Sequence, residues 1–324
     1  MTENVVTLVV VCYNHAPFLE RCLESVASQS SDRFDLIVTD DASQDGSPDL
    51  IQRELARHGL QARLILHQRN VGVCATSNEA LALVRTPLVA FLSTDDWMTR
   101  NRLEVQSERL LSLPESTALL YSNMFMVDAS GVPDGRLYSD VLPPQWGFGQ
   151  GHDLFQRLLR HDFVPAPAAM MRTRTLRDIG GFDETLSFED YDVWLRLARQ
   201  YDFAYLPQPL VFHRVWPNSL AARLRKDRRI DFGLSGARMF SKYLGVSPQA
   251  DEVILEQVFR RAADAYKAGA PAASVLPYLR RDTGSPRSWR SRVYQLAATM
   301  RVPGRWVGWA VKRAQSSMAS NSRR

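Results

Sequence analysis

Three pairs of adjacent carboxylates are the residues best placed to do chemistry: Asp40-Asp41, Asp95-Asp96 and Glu189-Asp190. Side-by-side acids repel, so each pair needs a cation, a donor or water to offset it. Asp95-Asp96 follows the apolar run LVAFLS, and Mg²⁺ or Mn²⁺ favours such oxygen ligands. Each pair also has an ordinary reading. In DDAS the acids suit a turn after a strand. In SFED, Ser187 and Asp190 have the spacing of a capping box at a helix start. A bare DD at a strand end leaves ligand and structure equally open.

The elements that must position these acids read as alternating strands and helices. VVTLVVVC (Val5 to Cys12) is a continuous β-branched run of the kind buried in a central parallel strand. Phe18 to Ser28 has helical spacing, FDLIVT is a second strand, and Ser47-Pro48 opens a helix with an N-cap serine. ARLILH, a helix over Ala75 to Val84, and LVAFLS continue the alternation. This predicts an α/β fold with a doubly wound, mostly parallel sheet and helices on both faces. Ligands of such sheets bind beyond the strands' carboxyl ends, where the first two acidic pairs stand. After Asp128 the pattern loosens: ALLYSNMFMVD is a strand running into a turn, Asp140 to Pro167 suits a loop region, and AAMMRT and FAYLP are strands flanking a helix at Tyr191 to Gln200. From Leu220 the chain is helical, broken at Pro248, Pro271 and Pro303.

The 324 residues hold one large domain with appendages or two small ones, and 45% apolar content supplies a core. Cys12, Cys22 and Cys74 form neither a metal spacing nor a disulfide framework, which fits a reducing, cytoplasmic setting. MTENVVTLVV lacks the basic start of a signal peptide, and no apolar stretch reaches the ~18 residues of a membrane span. The net charge of +5 is uneven: Arg280 to Arg324 carries eleven Arg and Lys against Asp282 alone. The preceding body is therefore mildly acidic, which argues against nucleic acid as its partner and for a tail that meets a negative surface.

Taken together, VTLVVVCYNHAPFLERCLESVASQSSDRFDLIVTDDASQDGS, RNVGVCATSNEAL, STDDW and GGFDETLSFEDYDVWLRLA resemble, in order and separation, the family 2 glycosyltransferases of bacterial surface-polysaccharide type, which are inverting enzymes of the GT-A fold. The resemblance covers Val5 to Ser219. It implies a GT-A catalytic domain over 1–219, with a nucleotide-binding half (1–127) and an acceptor half (128–219), followed by a helical C-terminal extension over 220–324. It also implies a nucleotide-sugar donor, with a UDP-sugar expected, and a divalent cation, Mn²⁺ or Mg²⁺. By that resemblance Asp41 accepts the N3 hydrogen of a uracil-type base, Tyr13 floors the base pocket, and Arg69 and Gly72 line the nucleotide site. Asp96 meets the cation and Asp95 lies beside it towards the ribose. Glu189-Asp190 supplies the catalytic base, Asp190 ahead of Glu189, and a helix N-terminus favours its ionised form. A departure stands at FHRVWPNSL: Arg214 and Ser219 fit the family's Tyr-Arg-x-His-x-x-Ser block, but Trp216 replaces its histidine, and His213 is displaced and expected to be packed or solvent-facing. Arg214 remains a candidate to neutralise diphosphate.

The implied reaction moves a sugar to a hydroxyl of a glycan or lipid-diphosphate-linked acceptor in O-antigen or capsule assembly, at the cytoplasmic face of the inner membrane. CYNHAPFL has no glycine, which disfavours a sugar-nucleotide nucleotidyltransferase and a GxGxxG dehydrogenase. A non-catalytic nucleotide- or glycan-binding relative is the alternative that Trp216 keeps open. In the tail, Trp289, Val293, Leu296 and Met300 share a helical face, and Trp306, Val307, Trp309, Ala310, Val311 and Ala314 follow among Arg305, Lys312 and Arg313. Such segments lie in the headgroup layer of anionic membranes. Packing on the catalytic domain or on a second subunit is the other reading, and a homo-oligomer is compatible with it.

Overall fold

The computed structural model describes residues 3–142, 153–279 and 288–321. The chain divides into two compact units, Met1–Glu184 with Glu189–Pro217, and Thr185–Phe188 with Asn218–Arg324.

The first unit is a nine-stranded mixed sheet with helices around it. In chain order its elements are β1 (Val6–Cys12), α1 (Ala16–Ala27), β2 (Phe34–Asp40), α2 (Ser47–His58), β3 (Arg63–Leu66), α3 (Val73–Leu83), β4 (Leu88–Ser93), β5 (Trp97–Met98), α4 (Arg102–Leu111), β6 (Thr117–Val127), β7 (Pro133–Leu137), α5 (Tyr138–Val141), α6 (Leu154–Arg160), β8 (Ala169–Arg172), α7 (Thr173–Asp178), α8 (Asp190–Leu197) and β9 (Asp202–Arg214). The strand order is β3-β2-β1-β4-β8-β6-β9-β5, and β7 pairs with β6. β1 pairs in parallel with β2 and β4, as its unbroken apolar run requires. β8 is antiparallel to both β4 and β6, while β6 and β9 are parallel. Two reversals cancel, so β1, β2, β4, β6 and β9 all point their carboxyl ends to one edge. The core beneath that edge joins Leu8 and Val10 of β1 to Leu19, Leu23 and Val26 of α1 and to Leu36 and Val38 of β2.

Two helix starts differ from expectation. Ser47 is the first residue of α2, not its cap: Gly46 caps in the left-handed region (φ 84°), and the Ser47 hydroxyl donates to Asp45 Oδ1 at 2.6 Å. α8 begins at Asp190, so Ser187 is no N-cap either. The short β5, β7 and α7 carry weak sequence signals, and their packing decides them; α4 buries Leu103, Gln106 and Leu110 on one helical face. Of the expected loop between Asp140 and Pro167, residues 143–152 lie outside the described residues; the flanking parts hold α5 and α6.

The second unit contains α9 (Leu220–Lys226), α10 (Arg229–Ser241), α11 (Pro248–Lys267), α12 (Ala272–Leu279), α13 (Ser288–Thr299) and α14 (Gly304–Asn321). Ser219 and Ser247 cap α9 and α11 through their hydroxyls. α10 and α11 approach closely at Gly233, where a Cβ would lie 2.7 Å from the Arg261 carbonyl. Phe188 packs edge-on against Phe232 at 5.6 Å, and the Ser187 amide donates to Ser235 Oγ at 3.0 Å. The basic residues Arg280, Arg281, Arg287, Arg323 and Arg324, with Asp282, lie outside the described residues, as do the side chains of Trp289, Arg290 and Ala314.

At the end of β8 the buried Arg172 guanidinium donates to the carbonyls of Thr117, Leu110 and Leu113 at 2.9 to 3.0 Å, tying α4 to β6. Arg172→Met strips partners from these carbonyls and is expected to lower the urea unfolding free energy by about 2–4 kcal/mol. A loss below about 0.5 kcal/mol would mean that solvent replaces the guanidinium.

Candidate active site

The loops after β1 and β2 are stitched together at the carboxyl edge. Asn14 adopts a left-handed conformation (φ 56°), and its amide donates to Ser43 Oγ at 2.7 Å. Its side-chain oxygen accepts the Gln44 amide at 2.8 Å. Asp40 takes the turn role: its carboxylate accepts the Ser43 amide at 2.8 Å and the Ser43 hydroxyl at 2.6 Å. Ala42, at φ 62°, holds a conformation that costs a non-glycine residue about 1 kcal/mol or more, and such strain concentrates at sites.

Asp41 faces the other way. Its oxygens accept the backbone amides of Val71 (2.8 Å) and Gly72 (2.9 Å), and His67 Nδ1 stands 2.9 Å from Oδ1. His67 Nε2 lies 3.0 Å from Glu79. Partial burial disfavours the imidazolium, but the two carboxylates outweigh it and raise the His67 pKa. Arg69 is exposed on the same loop, and Tyr13 is partly buried after β1. Gly72 caps α3 at φ 91°, a left-handed angle that requires glycine there.

Asp95 and Asp96 divide sharply. Asp96 is 2% exposed; His213 Nδ1 lies 3.1 Å from both of its oxygens, and the Arg214 amide donates to Oδ1 at 2.9 Å. Burial raises its pKa against these donors. Asp95 is also buried, at 7%, yet its pKa is lowered: burial opposes ionisation, but His15, Ser93 and Trp216 outweigh it. Trp216 Nε1 donates to Asp95 Oδ2 at 2.8 Å, and His15 Nδ1 lies 3.9 Å from Oδ1 and 2.9 Å from Thr94. His213, expected to be packed or solvent-facing, is packed, and its partner is Asp96. Arg214 turns inward: its guanidinium donates to the carbonyls of Asp95 (3.0 Å) and Ala129 (2.8 Å) and lies over Phe18 and Trp97. These two bonds use two of its five N–H donors.

The third pair opens α8. Glu189 and Asp190 are partly buried; burial raises both, and the Asp190 charge raises Glu189 further. The Tyr191 amide, donating to Asp190 Oδ1 at 2.7 Å, holds Asp190 lower. The preceding turn is braced by α3. Asn78 Nδ2 donates to the Phe182 carbonyl (2.9 Å) and to Glu184 (2.8 Å), and Asn78 Oδ1 accepts the Phe182 amide (2.8 Å). Gly181, at φ 68°, admits no side chain, since a Cβ would lie 2.6 Å from Asn78 Oδ1. The Cys74 thiol, in the first turn of α3, is pushed up by burial and then by the charges of Glu189, Asp183, Asp192 and Asp190. α3 therefore meets the Asp41 loop at its cap and, through Asn78, the turn that precedes α8.

Sequence reasoning missed His15, His67 and Asn78. Their partners lie 12 to 106 positions away, beyond the reach of helix and strand spacing. Among the described residues no group of three or more His, Cys, Asp or Glu is arranged to hold a metal ion.

Residues 7–177 match the family described as "Glycosyl transferase family 2". An uncharacterized glycosyltransferase of Methanocaldococcus jannaschii is 24% identical over 70% of this chain and 77% of its own length. The O-antigen biosynthesis protein RfbC of Myxococcus xanthus is 26% identical over 88% of this chain, which spans 21% of that longer protein. Among solved structures, TarS 1-349 of S. aureus in complex with UDP-GlcNAc superposes with a TM-score of 0.64 at 17% identity, covering 96% of this chain and 92% of that one. The mannosyltransferase PcManGT of Pyrobaculum calidifontis, in complex with GDP-Man and Mn²⁺, gives 0.57 at 18% identity, covering 95% and 84%. These structures share the fold.

His67 yields a pH prediction. Its folded-state pKa is raised, so its contribution to stability is complete below the unfolded value near 6.5 and is lost as pH rises through the folded value. Urea midpoints of the native protein are expected to fall between about pH 6 and about pH 8, and His67→Gln is expected to flatten that fall. An equal fall in both proteins would remove His67 as the cause.

Proposed function

Because the chain belongs to glycosyl transferase family 2, we propose that it transfers a sugar, with inversion, from a UDP-sugar to a hydroxyl of a glycan or lipid-linked acceptor. It is a glycosyltransferase, and its relatives include a protein of O-antigen biosynthesis. One observation carries the finer reading: Asp41 and the Asp95-Asp96 pair follow parallel strands at one sheet edge, and α3 links the Asp41 loop to the turn that leads into Glu189-Asp190.

In this reading the base lies near Tyr13, Arg69 and Gly72, and its N3 hydrogen goes to Asp41. The amides of Val71 and Gly72 hold the Asp41 carboxylate in place. UDP is the preferred nucleotide because the solved neighbour TarS binds UDP-GlcNAc; PcManGT, with GDP-Man, makes a guanosine donor the comparison to run.

The residues present fit a divalent cation of the Mg²⁺ or Mn²⁺ kind, which is held by one or two carboxylates with the remaining ligands from phosphate and water. Asp95 would hold it, because its pKa is lowered while both oxygens of Asp96 already accept protein donors. This exchanges the roles expected of the two acids. Trp216, a donor only, adds no ligand and fixes the Asp95 carboxylate instead. A bound cation would neutralise charge on the departing diphosphate.

Asp190 takes the proton from the acceptor hydroxyl as its oxygen attacks the anomeric carbon. Glu189, with its pKa pushed up to about 8 by burial and by Asp190, is the protonated neighbour at neutral pH. Direct displacement needs one base and no covalent sugar intermediate, so the product anomer is inverted. The acceptor reading is a lipid-linked glycan at the cytoplasmic membrane face, during surface-polysaccharide assembly.

Asp190→Asn is expected to keep its UDP-induced thermal shift and to lose about 10²-fold or more in turnover, with Glu189→Gln losing less. Glu189→Gln as the inactive variant would exchange the two roles, and unchanged turnover in both would remove this pair as base. A screen of UDP-, GDP- and dTDP-sugars with Mn²⁺ is expected to give its largest melting shift with a UDP-sugar. A larger shift with a GDP-sugar would overturn the uridine assignment.

A further inference from the structure

The last two helices each pack through some of their apolar side chains and leave others exposed on them or in the turn between them. On α13, Tyr294 and Ala298 are buried, Tyr294 edge-on to Phe259 at 5.7 Å. On α14, Val307 and Val311 are buried, and Gly304 lies against the Tyr266 carbonyl so closely that no Cβ fits. The Tyr266 hydroxyl in turn donates to the Val302 carbonyl between the helices. Among the described side chains, this packing leaves four large apolar groups well exposed. Leu296 is 61% exposed, Met300 66%, Trp306 59% and Trp309 60%.

The charges around this face have one sign. Arg292, Arg301, Arg305, Lys312 and Arg313 are exposed, and Arg313 lies over the Trp309 ring at 5.2 Å. From Ser288 to Asn321 the sequence contains no Asp or Glu. Among the described residues no helix is long and apolar enough to cross a membrane.

We propose that the exposed face of α13 and α14 is a docking surface for an anionic lipid bilayer. Tryptophan places an apolar ring in the acyl boundary and its N–H among headgroups, and arginine stems lie along apolar surface while their heads reach phosphate. Each cation near an anionic leaflet contributes about as much as a modest surface contact, and five act together. A second copy of the chain is a poorer occupant, since face-to-face packing would set these cations against one another. Nucleic acid would satisfy the cations but not the exposed Leu296 and Met300. The surface gives the proposed transfer a membrane-held acceptor; it rests on that reading for its purpose only, because lipid binding needs no donor.

The test is flotation of the full-length protein with phosphatidylglycerol–phosphatidylcholine vesicles and with phosphatidylcholine alone, at low and high salt. The native protein is expected to float with the anionic vesicles at low salt and less at high salt. Trp306→Ser with Trp309→Ser, and separately Arg301→Glu with Arg305→Glu, are each expected to lower partitioning at least about tenfold while leaving the melting temperature unchanged. The charge reversal touches no buried group, so it stands as the test if the tryptophan variant folds poorly. Native protein that ignores anionic vesicles, or variants that bind as it does, would overturn the proposal. Loss of self-association on gel filtration without loss of flotation would assign the face to a second copy and overturn it equally. UDP-induced thermal shifts report the donor site separately, so failure of one reading is distinguishable from failure of the other.

Discussion

Two carboxylates side by side in a dry site must each find a reason to stay, and the carboxyl edge of the sheet is built around that demand. Asp96 is met by the end of β9: His213 reaches both its oxygens and the Arg214 amide donates to one. The Arg214 guanidinium then needs its own place, which Phe18, Trp97 and the Asp95 carbonyl supply. Gly131 makes room: a Cβ there would lie 2.7 Å from Arg21 and 3.0 Å from Arg214. Removing one partner of such a buried charge is strongly destabilising, so the second half of the sheet is tied to the first through Asp96. Asp95, freed from that duty, stays ionised beside Trp216 and His15.

The other two pairs follow the same division. Asp40 closes its own turn on Ser43, and Asp41 faces the loop that leads into α3. Glu189 is pushed towards its neutral form, and Asp190 is held lower by a helix-start amide. In each doublet the two members meet different partners. A carboxylate that would otherwise be unaffordable beside its twin becomes a positioned group.

The sequence showed the doublets, the central strands and the order of the motifs, because unbroken β-branched runs and turn residues are local signals. It did not show which member of each pair faces inward. That depends on partners such as Trp216, 121 positions from Asp95, and His67, whose ring joins Asp41 to Glu79. Two caps were misplaced for a related reason. Ser47 and Ser187 have capping chemistry, but Gly46 and the chain before α8 take conformations that start each helix one or more residues away. In the tail, the expected stripe of Val293, Leu296 and Met300 is exposed, and packing falls to Tyr294 and Ala298 one register over. Helices apolar on two faces give no local sign of which face turns inward.

The exchange of roles within Asp95-Asp96 is tested most directly by calorimetric titration of UDP, with and without Mn²⁺, into native protein, Asp95→Asn and Asp96→Asn. In the native protein Mn²⁺ is expected to tighten UDP binding about tenfold or more. Asp95→Asn is expected to keep the native melting temperature and lose the Mn²⁺ effect, whereas Asp96→Asn is expected to melt several degrees lower. Undiminished Mn²⁺ enhancement in Asp95→Asn, with native stability in Asp96→Asn, would contradict the account.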